Sequence, residues 1–209
     1  MSETLRRIGI LVPAGDPVVE ADFHRYLPSG LTFHTARLFQ SETSKVATRE
    51  NLDRLSGSAP ETAKLVSLLE PELIVFCCTS ASLYRGYGWD KKLSDLITEA
   101  TGVQATTTST CVLEAHQALE MNKVFMVTPY PESTNKVEVD FLAANGIEIT
   151  GFTSFNCENS KDMGFITPTQ IKEKILSNKE KIKQGDGVFV SCTALRTMEV
   201  IEELEKELG

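Results

Sequence analysis

With 209 residues, 41% apolar and 24% charged, the chain can bury one large core or two small ones, and it has neither the charge excess of a disordered chain nor an apolar run of membrane-spanning length. A net charge of -8 excludes a nucleic-acid binder built on a basic face, and it requires that any anionic substrate be held by local donors against a repelling field. No apolar signal region precedes the first apolar run, so a cytoplasmic location is the default expectation, with all five cysteines reduced.

Taken in order, short runs rich in Val, Ile, Leu and Phe predict strands at 8–12, 31–38, 73–77, 103–106, 124–128, 147–152 and 187–191. Amphipathic segments predict helices at 17–26, 49–69, 89–101, 111–120, 133–144, 168–182 and 197–208. Alternation of this kind means an α/β fold with parallel sheets. Asn145-Gly146 reads as a helix C-cap, and Pro168 behind Thr167 as a helix start. Residues 156–167, polar and glycine-containing, fit neither pattern and are expected to be a loop near the site.

An internal repeat organises these elements. Ile10-Leu11-Val12-Pro13 corresponds to Phe125-Met126-Val127-Thr128-Pro129, and Phe23…Gly30-Leu31 to Phe141…Gly146-Ile147. Val75-Phe76-Cys77-Cys78-Thr79-Ser80-Ala81 then corresponds to Val188-Phe189-Val190-Ser191-Cys192-Thr193-Ala194, with Cys78 and Cys192 at an offset of 114 residues. Three landmarks in one order at nearly one offset predict two pseudo-symmetric lobes, residues 1–108 and 109–209. Each is a small parallel sheet flanked by helices, with a ligand cleft between the strand ends.

In both halves an apolar strand ends in a cysteine, a threonine and a small residue. A cysteine just beyond a strand faces the N–H groups of the following turn, a setting that favours thiolate. Thr79, Ser80 and Thr193 add hydroxyl donors there, and together they make a carboxylate cradle without Lys or Arg. Two thiols facing each other across a cleft can attack or deprotonate one face of a substrate and protonate the other. Cys77, Cys111 and Cys157 fit the ordinary role of buried reduced thiols. The cysteines show no C-x-x-C spacing, so no metal is expected. Tyr130, fixed between Pro129 and Pro131, and Asp16, in the Pro13–Pro17 turn, stand at strand ends and are candidate substrate contacts. His24, His34 and His116 fall at no strand end and read as structural. Gly86 and Gly88 mark a lid beside Cys78.

The runs Ile8-Gly9-Ile10-Leu11-Val12-Pro13, Cys78-Thr79-Ser80-Ala81-Ser82-Leu83-Tyr84-Arg85-Gly86, Thr106-Thr107-Thr108-Ser109-Thr110, Val127-Thr128-Pro129-Tyr130 and Val190-Ser191-Cys192-Thr193 carry a resemblance. The chain resembles the aspartate/glutamate racemase superfamily, within it the branch of maleate cis-trans isomerases and arylmalonate decarboxylases. The resemblance implies a cofactor-independent enzyme and a homo-oligomer acting on a small carboxylate or dicarboxylate. It makes Cys78 and Cys192 the catalytic pair, and Thr79, Ser80, Tyr130 and the backbone N–H of Thr193 the substrate contacts. Decarboxylases of this branch have glycine at the place of Cys78, so a second cysteine implies isomerisation of the maleate type. Racemisation, decarboxylation and carboxylate binding without turnover are the alternatives. Where maleate isomerases have asparagine in the first loop, this chain has Asp16, which accepts rather than donates and opposes a dicarboxylate. Family members continue beyond the position of Gly209 into another strand and a helix, so the second lobe is expected to be one strand short.

Overall fold

The computed structural model describes residues 5–40 and 48–209; the first four residues of the lead-in to the opening strand lie outside them. Strands β1 (Arg6–Pro13), β2 (Leu31–Leu38), β3 (Leu73–Phe76) and β4 (Ala105–Thr107) form one parallel sheet in the order β2-β1-β3-β4. Strands β5 (Lys123–Thr128), β6 (Glu148–Ser154) and β7 (Gly187–Val190) form a second, in the order β6-β5-β7. In each the lobe's first strand is central, with the second on one side and the third on the other. The repeat in the sequence is therefore a repeat of topology. Among the described residues β4 has no counterpart in the second sheet, which has three strands to the first sheet's four.

Both faces of each sheet are covered, which is why the strands read as continuous apolar runs. In the first lobe Leu11, Ile74 and Phe76 pack under α2 (Arg49–Ser67) and α4 (Trp89–Thr101), while Ile10, Val12 and Cys77 pack under α1 (Val19–Tyr26). In the second, Phe125 and Val127 meet α8 (Pro168–Leu176), and Val124 and Met126 meet α6 (Glu132–Ala144). The lobes are joined by α3 (Thr79–Leu83), whose Leu83 sits in the second lobe's core with Val124, Met126 and Phe141. This short helix begins immediately after Cys78, so the lobe interface and the first cysteine share one anchor.

Several predicted boundaries move, each for a local reason. The helix expected from Cys111 starts at Thr108 as α5 (Thr108–Ala118), because the Thr107 side chain caps it by accepting from the Thr110 N–H at 3.2 Å. The single helix expected over 168–182 is two, α8 and α9 (Lys179–Ile182). The Ser177 hydroxyl and Asn178 amide donate to the Lys174 carbonyl at 2.8 and 2.9 Å and end the first. The loop at 156–167 contains a one-turn helix, α7 (Ser160–Met163), and α8 opens on a reciprocal Thr167–Gln170 capping box. The last helix, α10 (Ile201–Leu208), begins only after a 3-10 turn over Thr197–Glu199. The predicted C-cap at Gly146 is present: its positive φ of 85° is the conformation glycine adopts without strain.

Candidate active site

The last ladder bond beside each cysteine is the same in the two lobes. The Cys77 N–H donates to the Leu11 carbonyl at 2.9 Å, and the Ser191 N–H donates to the Val127 carbonyl at 2.9 Å. The next residue in each case is the cysteine, two positions beyond the last paired residue of β3 or β7. Cys78 and Cys192 thus leave equivalent strand ends into one cleft. That cleft brings together all seven residues singled out from the sequence: Asp16, Cys78, Thr79, Ser80, Tyr130, Cys192 and Thr193. No Lys or Arg is among the described residues that line it.

The two thiols have different surroundings. Cys78 precedes α3 in extended backbone, 3.8 Å from the Ser80 hydroxyl, and its sulfur also takes the Ala81 N–H. Cys192 has a φ of 109°, a region that residues with a Cβ rarely occupy, and its sulfur accepts from the Ala194 N–H at 3.4 Å and from the Tyr130 phenol. Holding a cysteine there costs on the order of 1–3 kcal/mol, so the surrounding turn must over-determine it. The expected thiolate bias is overturned in both. Burial is the dominant influence and pushes the Cys78 thiol up to about 11, with the Ala81 N–H and Ser80 hydroxyl only partly opposing it. Burial raises Cys192 further, and the negative charge of Asp16 adds to the rise. Both are thiols at neutral pH, and Cys78 is the more acidic.

Asp16 lines the cleft, and both of its oxygens accept hydrogen bonds from the protein. Oδ1 accepts from the N–H groups of Val18 and Val19 at 2.8 and 3.1 Å, capping α1, and Oδ2 accepts from the Thr193 hydroxyl at 3.0 Å. The residue read as a substrate contact also clasps the two lobes together, next to Cys192. Arg37 braces its turn by donating to the carbonyls of Pro13 and Asp16 at 3.2 and 2.9 Å. A second clasp lies alongside: a Cβ on Gly164 would stand 2.4 Å from the Pro17 side chain, so only glycine lets the 156–167 segment lie against the first-lobe turn. This contact seats Met163 in the cleft wall, 3.8 Å from the Cys192 sulfur.

Tyr130 is held through its backbone. Its N–H donates to the Thr128 hydroxyl at 3.2 Å, and its carbonyl accepts from the Asn135 amide at 3.0 Å and from the Ser154 hydroxyl. Burial keeps its phenol well above the ordinary pKa, hence a proton donor throughout the physiological range.

Glu138, which was not singled out from the sequence, lies behind Cys192. It is 1% exposed, Oε1 accepts from the Ser191 hydroxyl at 2.5 Å, and Oε2 has no partner. Burial raises its pKa from the ordinary 4.5 to about 7, with Ser191 opposing. The folded value lies above the unfolded one, so folding takes up a proton between these pH values and stability falls as pH rises through that window. The stability withdrawn above pH 7 is on the order of 3 kcal/mol, at ~1.4 kcal/mol per pKa unit. Glu138→Gln is therefore expected to melt higher than the parent at pH 8 and to lose the decline between pH 4.5 and 7, as read by thermal denaturation across pH. The clue was present: Glu138 stands three residues before Phe141 on the apolar stripe of a predicted helix.

The segment carrying Gly86 and Gly88 is not a lid on this cleft. Arg85 donates to Asp53 at 2.5 Å and stacks on Trp89 at 4.4 Å, and Trp89 donates to the Ala81 carbonyl at 3.0 Å. Tyr87 is 74% exposed, and none of residues 84–89 lines the cleft. His116 is buried and bonds to the Met121 carbonyl, away from the cysteines. Among the described residues no cluster of three or more His, Cys, Asp or Glu is placed to hold a metal, and no helix is long and apolar enough to cross a membrane.

Two parallel-sheet lobes with a thiol at each equivalent strand end define an enzyme of the aspartate/glutamate racemase-like fold. The chain belongs to the arylmalonate decarboxylase family, whose model matches residues 8–209. The arylmalonate decarboxylase of Bordetella bronchiseptica is 29% identical over 202 residues, 97% of this chain and 82% of that protein. A double variant of arylmalonate decarboxylase in liganded form, with one glycine changed to cysteine and one cysteine to serine, superposes with a TM-score of 0.88 at 30% identity, covering 98% of this chain and 85% of that one. A Nocardia farcinica maleate cis-trans isomerase variant carrying a covalently bound succinylcysteine intermediate superposes with a TM-score of 0.85 at 21% identity, covering 98% and 85%.

Proposed function

We propose that this enzyme is a cofactor-independent isomerase of a small unsaturated carboxylic acid of the maleate type. The observation that carries the reading is the pair of thiols at equivalent strand ends in one cleft, where a decarboxylase needs only one proton donor. Cys78, the more acidic of the two, enters as its minor thiolate form. Its sulfur bonds to C2, and the π pair moves to C3 and into the adjacent carboxylate. Cys192 delivers its thiol proton to C3. The C2–C3 bond, now single, rotates. The Cys192 thiolate then removes the C3 proton, the C2–S bond breaks, and the trans acid leaves with Cys78 again a thiolate. Thr79, Ser80 and Tyr130 supply hydroxyl donors for the carboxylate that takes up charge. The succinylcysteine named for the Nocardia farcinica isomerase is the species that this addition would form on Cys78.

Decarboxylation of a substituted malonate is the second reading. It is favoured by the apolar wall of Leu52, Leu55 and Met163 beside the thiols. Proton NMR in deuterated water, with maleate, a chiral aryl acid and an arylmalonate in parallel, separates them. The proposal expects fumarate from maleate. Carbon dioxide release from the arylmalonate with maleate untouched would replace it by the second reading, and solvent deuterium at Cα of the aryl acid alone would replace it by racemisation.

A further inference from the structure

Asn51 lines the cleft in the first turn of α2, on the same buried stripe as Leu52 and Leu55, which pack in one cluster with Cys78. It is 4% exposed, yet its Oδ1 is buried without a hydrogen-bond partner, and no described residue bonds its Nδ2, the end of the amide that retains exposure. An unmet buried polar group costs roughly 1–3 kcal/mol, and an apolar side chain there would continue the wall at no such cost. The backbone N–H of Asn51 is spent on the Thr48 hydroxyl, so the side-chain N–H₂ is what the residue offers. It sits at the positive end of a 19-residue helix, where an anionic or strongly polar oxygen is favoured.

We propose that Asn51 is a specificity-determining residue. Its side-chain N–H₂, at the N-terminus of α2, binds an acceptor oxygen on the substituent of the acid whose carboxylate is held at the cysteines. Resting on the two-cysteine reading above, this makes the preferred substrate an acid with a second oxygen-bearing end. Leu52 and Leu55 line the space between the two polar ends and contribute shape without hydrogen bonds.

Succinate and butyrate are unreactive four-carbon probes that differ only in that second end, and their binding is measured by titration calorimetry on the intact chain. Wild type is expected to bind succinate about tenfold or more tightly than butyrate, the effect of one hydrogen bond to a charged group. Asn51→Leu should abolish the preference while leaving butyrate binding intact. Asn51→Asp, which keeps the shape and guards against a folding defect in the leucine variant, should lose succinate binding as well. Equal affinities in wild type, or a preference that survives in both variants, would overturn the assignment of Asn51 alone. Binding of neither acid by wild type would overturn the carboxylate reading and this inference with it.

Discussion

Replacing either Cys78 or Cys192 by alanine is expected to lower turnover by about a thousandfold or more, with the fold retained. Without Cys78 no bond forms to C2. Without Cys192 the bond forms, but C3 is neither protonated nor deprotonated by a group on the opposite side. Since each step needs the other, the double variant should lose little more than the worse single one. Both cysteines close a strand end whose last ladder bond is made by the preceding residue, Cys77 or Ser191, so truncation leaves the backbone bonds in place. Steady-state kinetics with thermal melts as the folding control reads all of this. A single-cysteine variant retaining a tenth of the activity would remove that cysteine from the chemistry.

Tyr130→Phe is expected to cost about a hundredfold or more in kcat with little change in KM. The phenol donates to the Cys192 sulfur and is kept protonated by burial, so it offers a fixed donor where charge develops. Its removal should be felt in the transition state more than in binding. The bonds from Thr128, Asn135 and Ser154 go to the Tyr130 backbone and survive the substitution. An unchanged kcat would assign Tyr130 to packing.

The layout of the site was legible because it rests on local pattern. Apolar runs mark buried parallel strands, and the repeated strand–cysteine–threonine junction at one offset marks equivalent strand ends. Pairing of the cysteines needed only the fold's symmetry. What was not legible depends on contacts between distant residues or on burial. Asp16 reads as a turn acceptor near substrate because its partner Thr193 is 177 residues away. The thiols read as acidic because a strand end followed by N–H groups is visible in sequence, while the desolvation that outweighs those groups is not. The Gly86–Gly88 segment reads as a lid because glycines signal freedom; the Arg85–Asp53 bond and the Trp89–Ala81 bond that pin it are tertiary. Asn51 and Glu138 are intermediate cases: each is a polar residue on an apolar helical stripe, a mismatch readable in the sequence whose cause only the cleft and the back of Cys192 supply.

The central claim is that Cys78 forms a bond that Cys192 is needed to resolve. Peptide mapping by mass spectrometry of Cys192→Ala incubated with maleate tests it most directly. In that variant water supplies the C3 proton and no thiol removes it again, so the thioether should accumulate, adding the mass of one acid to the peptide carrying Cys78 and to no other. An unmodified Cys78, or an adduct on Cys77, Cys111 or Cys157 in its place, would contradict it.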